Sequence, residues 1–240
     1  MLFYTILFSL GEPKQNLYVQ MLHLQLASLR RTGTLAADDE FLVLTEKKTA
    51  DYLAATSALP PNVKILLVRP PSTTLQGMLL KYILPRVYDC RGKTCLYLDL
   101  DILSCRKLEL GPLEPDNLYV FPEGRPDDTN YCGSTPLELS AGVTAGIFLY
   151  TYGPKVQAFF DAVLGRIAAS TETFYSLDQP HFNHALAAQK VVRGLPPTLI
   201  SFNWNTHRDT ARFVNLCGDP GDGPFHFQKM LQVFLRIFVA

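Results

Sequence analysis

The first 105 residues alternate between short apolar stretches that are typical of strands and amphipathic stretches that are typical of helices. The apolar stretches are rich in aromatic and β-branched residues, as strands buried on both faces are. Four strands are predicted here, at Phe3–Phe8, Phe41–Thr45, Val63–Val68 and Thr94–Leu98. Three helices are predicted between them, at Asn16–Arg31, Lys48–Ser57 and Thr73–Tyr88. This order predicts an α/β fold with a mainly parallel central sheet and helices on both of its faces.

The rest of the chain carries weaker signals of the same kind. Strands are predicted at Leu118–Phe121 and Ala145–Tyr150, and helices at Lys155–Ala169, Gln179–Ala188 and Met230–Ala240. In the first half, Pro85 is expected to kink or end the third helix, because proline has no amide hydrogen to donate. We find no internal repeat and no clear domain boundary, and therefore expect residues 1–240 to form a single domain.

The composition narrows the classes of partner. Lys+Arg and Asp+Glu are both 22, so the chain has no global basic field for nucleic acid, and partners must be recognised locally. The five cysteines are an odd number without a CxxC pair, which favours buried, reduced thiols over a disulfide framework or a zinc site. No apolar stretch reaches transmembrane length, and the apolar start of the chain has no basic flank typical of a signal peptide. We therefore expect a cytoplasmic protein without a transmembrane segment.

Two acids, Asp99 and Asp101, follow the fourth predicted strand and flank Leu100. Side chains alternate along a strand, so both carboxylates face the same way. Carboxylates in a buried stretch are costly unless they are compensated, and hard divalent cations prefer carboxylate oxygens. In such sheets ligands lie beyond the carboxyl ends of the strands. An isolated Asp-x-Asp is also common in solvated loops, but its position here predicts magnesium or manganese that holds a diphosphate.

The acid pair belongs to a series of short motifs that covers nearly the whole chain. The motifs are Lys81-Tyr82-Ile83-Leu84-Pro85, Cys95 to Ile102, Thr144 to Leu149, Asp178-Gln179 with Asn183, Leu195-Pro196 with Phe202-Asn203, and Phe225-His226-Phe227. In this order they resemble the family of glycosyltransferases that includes glycogenin and bacterial galactosyltransferases. The resemblance implies the Rossmann-like GT-A fold, with residues 1–105 as the nucleotide-binding half and 106–240 on the acceptor and sugar side. It also implies a nucleotide-sugar donor, above all a UDP-sugar, manganese or magnesium, and a glycan or small hydroxyl compound as acceptor.

The resemblance further implies a metal site. Asp101 would ligate the metal, Asp99 would contact the metal or the ribose, and His226 would be the third protein ligand. Imidazole and carboxylate together suit manganese. Leu100 would contact the donor as part of the same motif. His226 read alone is equally compatible with a core or surface histidine.

The remaining matched residues would bind and orient the donor. Lys81 and Lys229 would place positive charge near the phosphates or the sugar, and Thr144 stands where the family usually has an asparagine that contacts the sugar. Asp178 and Gln179 would orient the donor sugar and face the acceptor. Read without the resemblance, Lys81 could be a solvated helix residue and Asp178 an N-cap.

Other residues give weaker indications. His181 and His184 are three apart on a predicted helix, a spacing compatible with a metal pair that lacks an evident third ligand. Trp204 could stack on a sugar ring, and the glycine-containing stretch 218–223 could close over a donor. Trp204 could equally be an ordinary surface aromatic residue, and 218–223 an ordinary loop.

Three alternatives stay open. The family retains the anomeric configuration, yet Asp178 is only the best candidate for a nucleophile or a base, so an inverting reaction remains possible. A nucleotidyltransferase would share the acid–metal–phosphate chemistry, but residues 9–14 offer a single glycine and a single lysine for the glycine-rich loop it needs. The third alternative, a non-catalytic module that binds a sugar nucleotide, is disfavoured by the intact Asp99, Asp101 and His226. The sugar, the acceptor and the oligomeric state are not indicated by the sequence.

Overall fold

The structure is a computed structural model that describes residues 1–8, 17–122, 142–170, 178–188, 191–202, 207–216 and 223–239. Its strands are β1 (Leu2–Ile6), β2 (Glu40–Thr45), β3 (Val63–Leu67), β4 (Thr94–Leu98), β5 (Ile102–Ser104), β6 (Leu118–Pro122), β7 (Val143–Thr151), β8 (Val192–Gly194), β9 (Ile200–Phe202) and β10 (Phe213–Asn215). Its helices are α1 (Leu17–Arg31), α2 (Lys47–Thr56), α3 (Thr74–Met78), α4 (Leu80–Val87), α5 (Pro154–Ala169), α6 (Gln179–Ala188) and α7 (Gly223–Phe238).

Seven strands form the central sheet, in the order β3-β2-β1-β4-β7-β6-β8. β2 and β3 are parallel with Phe41 opposite Val63, β6 is parallel to β8, and β6 is antiparallel to β7. A smaller sheet has the order β5-β10-β9, in which β10 is antiparallel to β5 and parallel to β9. The predicted α/β class with a central sheet is confirmed, and four three-residue strands (β5, β8, β9 and β10) are added to the predicted ones.

The helix predicted at Thr73–Tyr88 is two helices. The Thr73 side chain caps α3 by accepting a hydrogen bond from the Gln76 amide (3.2 Å), and α3 ends after one turn. The break lies at Leu79, where the Tyr82 amide donates to the Leu79 carbonyl with the tighter i to i+3 spacing. Pro85 lies inside α4, which ends two residues later at Val87. The break at Leu79 was not predicted, and α4 continues through Pro85 before it ends.

The chain folds into two compact units. The α5–α6 unit contains residues 1–2, 73–97 and 111–197, and the α1–α7 unit contains residues 3–72, 98–110 and 198–240. The α5–α6 unit has an aromatic core in which the Phe148 ring lies 5.5 Å from Phe182 and 5.8 Å from Phe160. In the α1–α7 unit the core comprises Met21, Leu103, Val214, Leu216, Met230, Val233 and Phe234.

The cysteines that the structure describes, Cys90, Cys95 and Cys105, are free thiols. Cys132 and Cys217 lie outside the described residues, as do Trp204 and residues 218–222. No helix in the described ranges is long and apolar enough to span a bilayer.

The start of α5 depends on a glycine. Both oxygens of the Asp116 carboxylate accept hydrogen bonds from first-turn amides of α5, those of Lys155 (2.9 Å) and Val156 (3.0 Å). Asp116 reaches this position with a φ of 54°, a left-handed conformation that aspartate tolerates. A Cβ on Gly153 would lie 2.3 Å from Asp116 Cγ, so a larger residue must push the capping carboxylate away.

We therefore expect Gly153→Ala to lower the free energy of unfolding by about 2 kcal/mol, the upper value for loss of a helix cap. The matched control is Gly165→Ala inside α5, where a Cβ meets no atom within 4 Å. That control should raise the free energy of unfolding by about 0.5–1 kcal/mol, because alanine favours a helix. Urea denaturation measures both changes, and a Gly153→Ala protein as stable as the parent would contradict the cap.

Candidate functional site

The acid pair lies in the turn between β4 and β5. Asp99, Leu100 and Asp101 are each partly exposed at the carboxyl end of β4, as the sequence predicts. The Ile102 amide donates to the Asp99 carbonyl (3.2 Å), and the Leu216 amide donates to the Asp101 carbonyl (3.1 Å). The turn is therefore held both by its own backbone and by the segment that follows β10.

His226, in the first turn of α7, lies beside Asp101. Its Nε2 is 3.5 Å from Asp101 Oδ2, and the two side chains are 11% and 19% exposed, shielded yet still within reach of a ligand. The same Nε2 hydrogen-bonds the Leu216 carbonyl, and because a carbonyl only accepts, Nε2 carries the proton in this arrangement. The backbone of Leu216 thus contacts both residues, through its amide to Asp101 and through its carbonyl to His226.

The separation of these two side chains is near the separation of two ligands on one divalent cation. Two donors bound at right angles to an octahedral cation lie about 3 Å apart, because each bond is about 2.1 Å long. The observed 3.5 Å between Asp101 Oδ2 and His226 Nε2 is close to that separation. Among the described residues, no group of three His, Cys, Asp or Glu side chains is assembled around a common point. The roles of Asp99, Asp101 and His226 as metal ligands therefore stay predictions.

Two further side chains belong to this region of the α1–α7 unit. Burial and, to a lesser degree, the negative charge of Asp101 raise the pKa of Tyr18, in the first turn of α1. Tyr18 was not singled out from the sequence, since a tyrosine in an amphipathic helix carries no distinctive spacing. Lys229 is half-buried and follows His226 by three residues on α7, so the two are neighbours on one face of the helix.

A second group of predicted residues comes together in the α5–α6 unit around Asp178. Lys81 on α4 is 1% exposed, so its interpretation as a solvated helix residue is wrong. Its Nζ lies 3.0 Å from Asp178 Oδ2 and donates to the Ala145 carbonyl (3.1 Å). The Tyr82 hydroxyl donates to the same Asp178 oxygen. The carboxylate is thus compensated by a cation and a hydroxyl, as a buried charge must be.

Aromatic rings surround this ion pair. Lys81 Nζ lies 5.1 Å from the centroid of Tyr97 and 5.6 Å from that of Tyr82, within the range of cation–π attraction. The Tyr82 ring stacks on Phe148 at 6.0 Å and on Phe182 at 5.9 Å. The rings fix Tyr82, and through its hydroxyl they fix the direction of the Asp178 carboxylate.

The Asp-Gln-x-x-x-Asn motif binds the start of β7. Gln179 Oε1 accepts a hydrogen bond from the Ala145 amide (3.0 Å), while Asn183 accepts from the Val143 amide (2.9 Å) and donates to the Val143 carbonyl (2.8 Å). Four residues of helix rise about 6 Å, close to the roughly 6.6 Å that two residues of strand span. Side chains four apart on α6 therefore match backbone groups two apart on β7, which explains the spacing of the motif. Between them, the Thr144 hydroxyl accepts from the Gly146 amide (3.0 Å) and is buried.

Three other residues at the start of α6 and on it, Asp178, His181 and His184, were given alternative roles from the sequence. The described Asp178 carboxylate contacts are with Lys81 and Tyr82, while its backbone carbonyl accepts from the Phe182 amide in the first turn of α6. His181 is buried and His184 is exposed, and within the described ranges neither belongs to a group of three potential metal ligands.

Solved glycosyltransferase structures share this fold. The bifunctional glycosyltransferase WbbM, without ligand, superposes with a TM-score of 0.64 at 14% identity over 98% of this chain and 50% of WbbM, so this chain spans half of its length. The galactosyltransferase LgtC, in complex with donor and acceptor sugar analogues, gives 0.63 at 14% identity over 100% of this chain and 97% of LgtC. An active-site mutant of LgtC gives 0.61 at 14% identity over 97% and 96% of the two chains.

No protein-family model matches the sequence, and no curated protein matches it significantly. The structural likeness, at low sequence identity, establishes the architecture. The chain has the GT-A fold of these glycosyltransferases, which confirms the predicted fold class.

Lys81 tests whether the buried pair is needed for folding. Lys81→Met leaves the Asp178 carboxylate buried beside an uncharged chain, and we expect the free energy of unfolding to fall by about 3–5 kcal/mol. Adding Asp178→Asn should recover most of this loss, because the uncompensated charge is removed. The matched control is Lys155→Met at an exposed position of α5, expected to change stability by less than about 0.5 kcal/mol. Chemical denaturation of the four proteins provides the measurement, and equal stability of the Lys81 single variant and the parent would refute the pairing.

Proposed function

We propose that this chain is a metal-dependent glycosyltransferase that moves a sugar from a nucleotide-diphosphate sugar, above all a UDP-sugar, to a hydroxyl of a glycan or small acceptor. The observation that carries the proposal is the approach of His226 to Asp101, which are 125 residues apart in the sequence (226 minus 101). The GT-A fold supports it, and LgtC, which shares that fold, was solved with donor and acceptor sugar analogues.

In this proposal the α1–α7 unit holds the metal and the nucleotide. Asp101 and His226 ligate manganese or magnesium, and Asp99 binds the metal or the ribose. To offer an Nε2 lone pair to the cation, neutral His226 would carry its proton on Nδ1 instead and would give up the hydrogen bond to the Leu216 carbonyl. When bound, the cation stabilises negative charge on the leaving nucleoside diphosphate. Lys229 adds positive charge toward the phosphates, and Leu100 contacts the nucleotide.

As the family resemblance implies, Asp178, Gln179 and Thr144 would orient the donor sugar. Asp178 and Gln179 begin α6 and are held by contacts to α4 and β7. Because Lys81 is buried against Asp178 and the Ala145 carbonyl, we assign it to orienting Asp178 rather than to direct contact with phosphate. Thr144 takes the place of the family's asparagine at the sugar. A carboxylate with two strong donors is a weak nucleophile, so a retaining reaction would use Asp178 for orientation, and an inverting reaction stays the alternative.

No contact of the described residues favours a nucleotidyltransferase. Residues 9–14, where a nucleotidyltransferase needs its phosphate loop, lie outside the described part of the chain. A non-catalytic binding module would keep the same nucleotide contacts but lack turnover. A cytoplasmic location stays part of the proposal, and the free thiols at Cys90, Cys95 and Cys105 are consistent with it. The division into a nucleotide-binding half at 1–105 and an acceptor and sugar half at 106–240 is likewise proposed.

Asp101→Asn is the variant that tests the proposal. It keeps the size of the side chain but weakens its hold on a cation, so UDP affinity in manganese should fall at least about 100-fold. Altering residues that merely orient a metal ligand costs up to about 100-fold, and Asp101 is proposed as a ligand itself. UDP affinity without manganese should hardly change. Asp38→Asn, at an exposed position of the same unit, is the matched control and should bind like the parent.

Titration calorimetry with UDP, with and without manganese, measures binding, and sugar release from UDP-sugars measures turnover. Unchanged UDP affinity of Asp101→Asn in manganese would reject the proposal. Metal-dependent UDP binding by the parent without release or transfer of sugar from any nucleotide-sugar donor would instead favour the binding module.

A further inference from the structure

A buried glutamine from α1 holds the turn that carries the acid pair. Gln25 is completely buried, and its Nε2 donates to the Asp99 carbonyl (2.6 Å) and to the Ile102 carbonyl (3.2 Å). Both acceptors are backbone carbonyls, which fixes the amide nitrogen as the atom that faces the turn. One side chain thus joins the first and the last residue of the turn, 74 and 77 positions further along the chain.

Packing alone does not account for a glutamine at this position. The buried face of α1 around it is mostly apolar, with Met21, Leu22 and Leu29 beside one other polar residue, Ser28. Burying an amide is unfavourable unless it is hydrogen-bonded. Gln25 Oε1 is itself buried without a hydrogen-bond partner among the described residues. The Gln25 amide is therefore buried at the cost of an oxygen without a hydrogen bond, while its nitrogen donates to two carbonyls.

The two carbonyls enclose Leu100 and Asp101. The Asp99 carbonyl also accepts from the Ile102 amide (3.2 Å), so Gln25 adds a second bond to a turn that is already closed. On another side the Leu216 amide holds the Asp101 carbonyl (3.1 Å). With its peptide planes fixed at three carbonyls, the turn has little freedom to rotate the bonds that direct both carboxylates.

We propose that Gln25 is a positioning residue that sets the Asp99–Ile102 turn so that its carboxylates are ready for a divalent cation and a diphosphate. The inference rests on the proposed function and extends it to a residue outside every matched motif. Its physical basis is preorganisation: a turn that is ordered before the ligand arrives loses less conformational entropy on binding.

Gln25→Met tests the inference, because methionine keeps the length and the burial but removes both donors. We expect manganese binding in the presence of UDP to weaken about ten-fold in a protein with a parental circular dichroism spectrum. Sugar-transfer activity should recover at saturating manganese, so that the metal requirement changes more than the maximal rate. Gln20→Met, at an exposed position of the same helix, is the matched control and should leave the manganese affinity unchanged.

A lower melting temperature with an unchanged manganese affinity would overturn the inference and leave Gln25 as a structural residue. Should Gln25→Met fail to fold, Gln25→Asn takes its place, since it keeps the amide but withdraws it by one methylene. Parental manganese affinity in that variant would equally overturn the inference. Asp101→Asn is measured in parallel: if it binds manganese and UDP like the parent, the proposed function fails, whereas a sensitive Asp101 with an insensitive Gln25 rejects only the positioning role.

Discussion

The pairing of β10 with β5 is the constraint on which the candidate site depends. It sets Asn215 opposite Ile102, and the ladder continues for one more residue because the Leu216 amide binds the Asp101 carbonyl. Strands of three residues have little stability of their own. Here the apolar residues of α7 and α1 pack against them, in the cluster that includes Met21, Leu103 and Met230. The same packing orients α7 so that His226, in its first turn, reaches Asp101. The contacts that fold this part of the α1–α7 unit therefore also place Asp101 and His226 side by side.

In the α5–α6 unit, buried polar side chains bind backbone groups and one another. The buried polar side chains around the start of α6 satisfy backbone groups or a charge: Lys81 compensates Asp178 and binds a carbonyl, while Gln179 and Asn183 complete the hydrogen bonding of β7. Buried polar networks are stable only when most of their members are satisfied. The Asp-Gln-x-x-x-Asn motif thus has a structural function that is independent of any substrate. A residue of this motif can be indispensable for the strand it holds and also lie where a sugar would bind.

The alternation of strand and helix patterns was sufficient to predict the central sheet and the position of Asp99 and Asp101 at its edge, because these elements are long enough to show a period. Three-residue strands such as β5 and β10 show none, so the contact between Asp101 and His226 could be expected only from the resemblance. The burial of Lys81 could not be predicted from the sequence, because the carboxylate that compensates its charge, Asp178, is 97 residues away (178 minus 81). Gln25 was overlooked for a related reason: a glutamine within an apolar helix face has no meaning until the carbonyls it binds are known.

The central claim is that Asp101 and His226 are two ligands of one cation that accompanies a nucleoside diphosphate. A crystal structure of the protein with UDP and manganese, with anomalous data collected near the manganese edge, tests it most directly. The account predicts one anomalous peak within bonding distance of Asp101 Oδ2 and His226 Nε2, with diphosphate oxygens completing its coordination. UDP bound with no such peak between these two side chains, or manganese bound elsewhere with the His226 contact to Leu216 intact, would contradict the account.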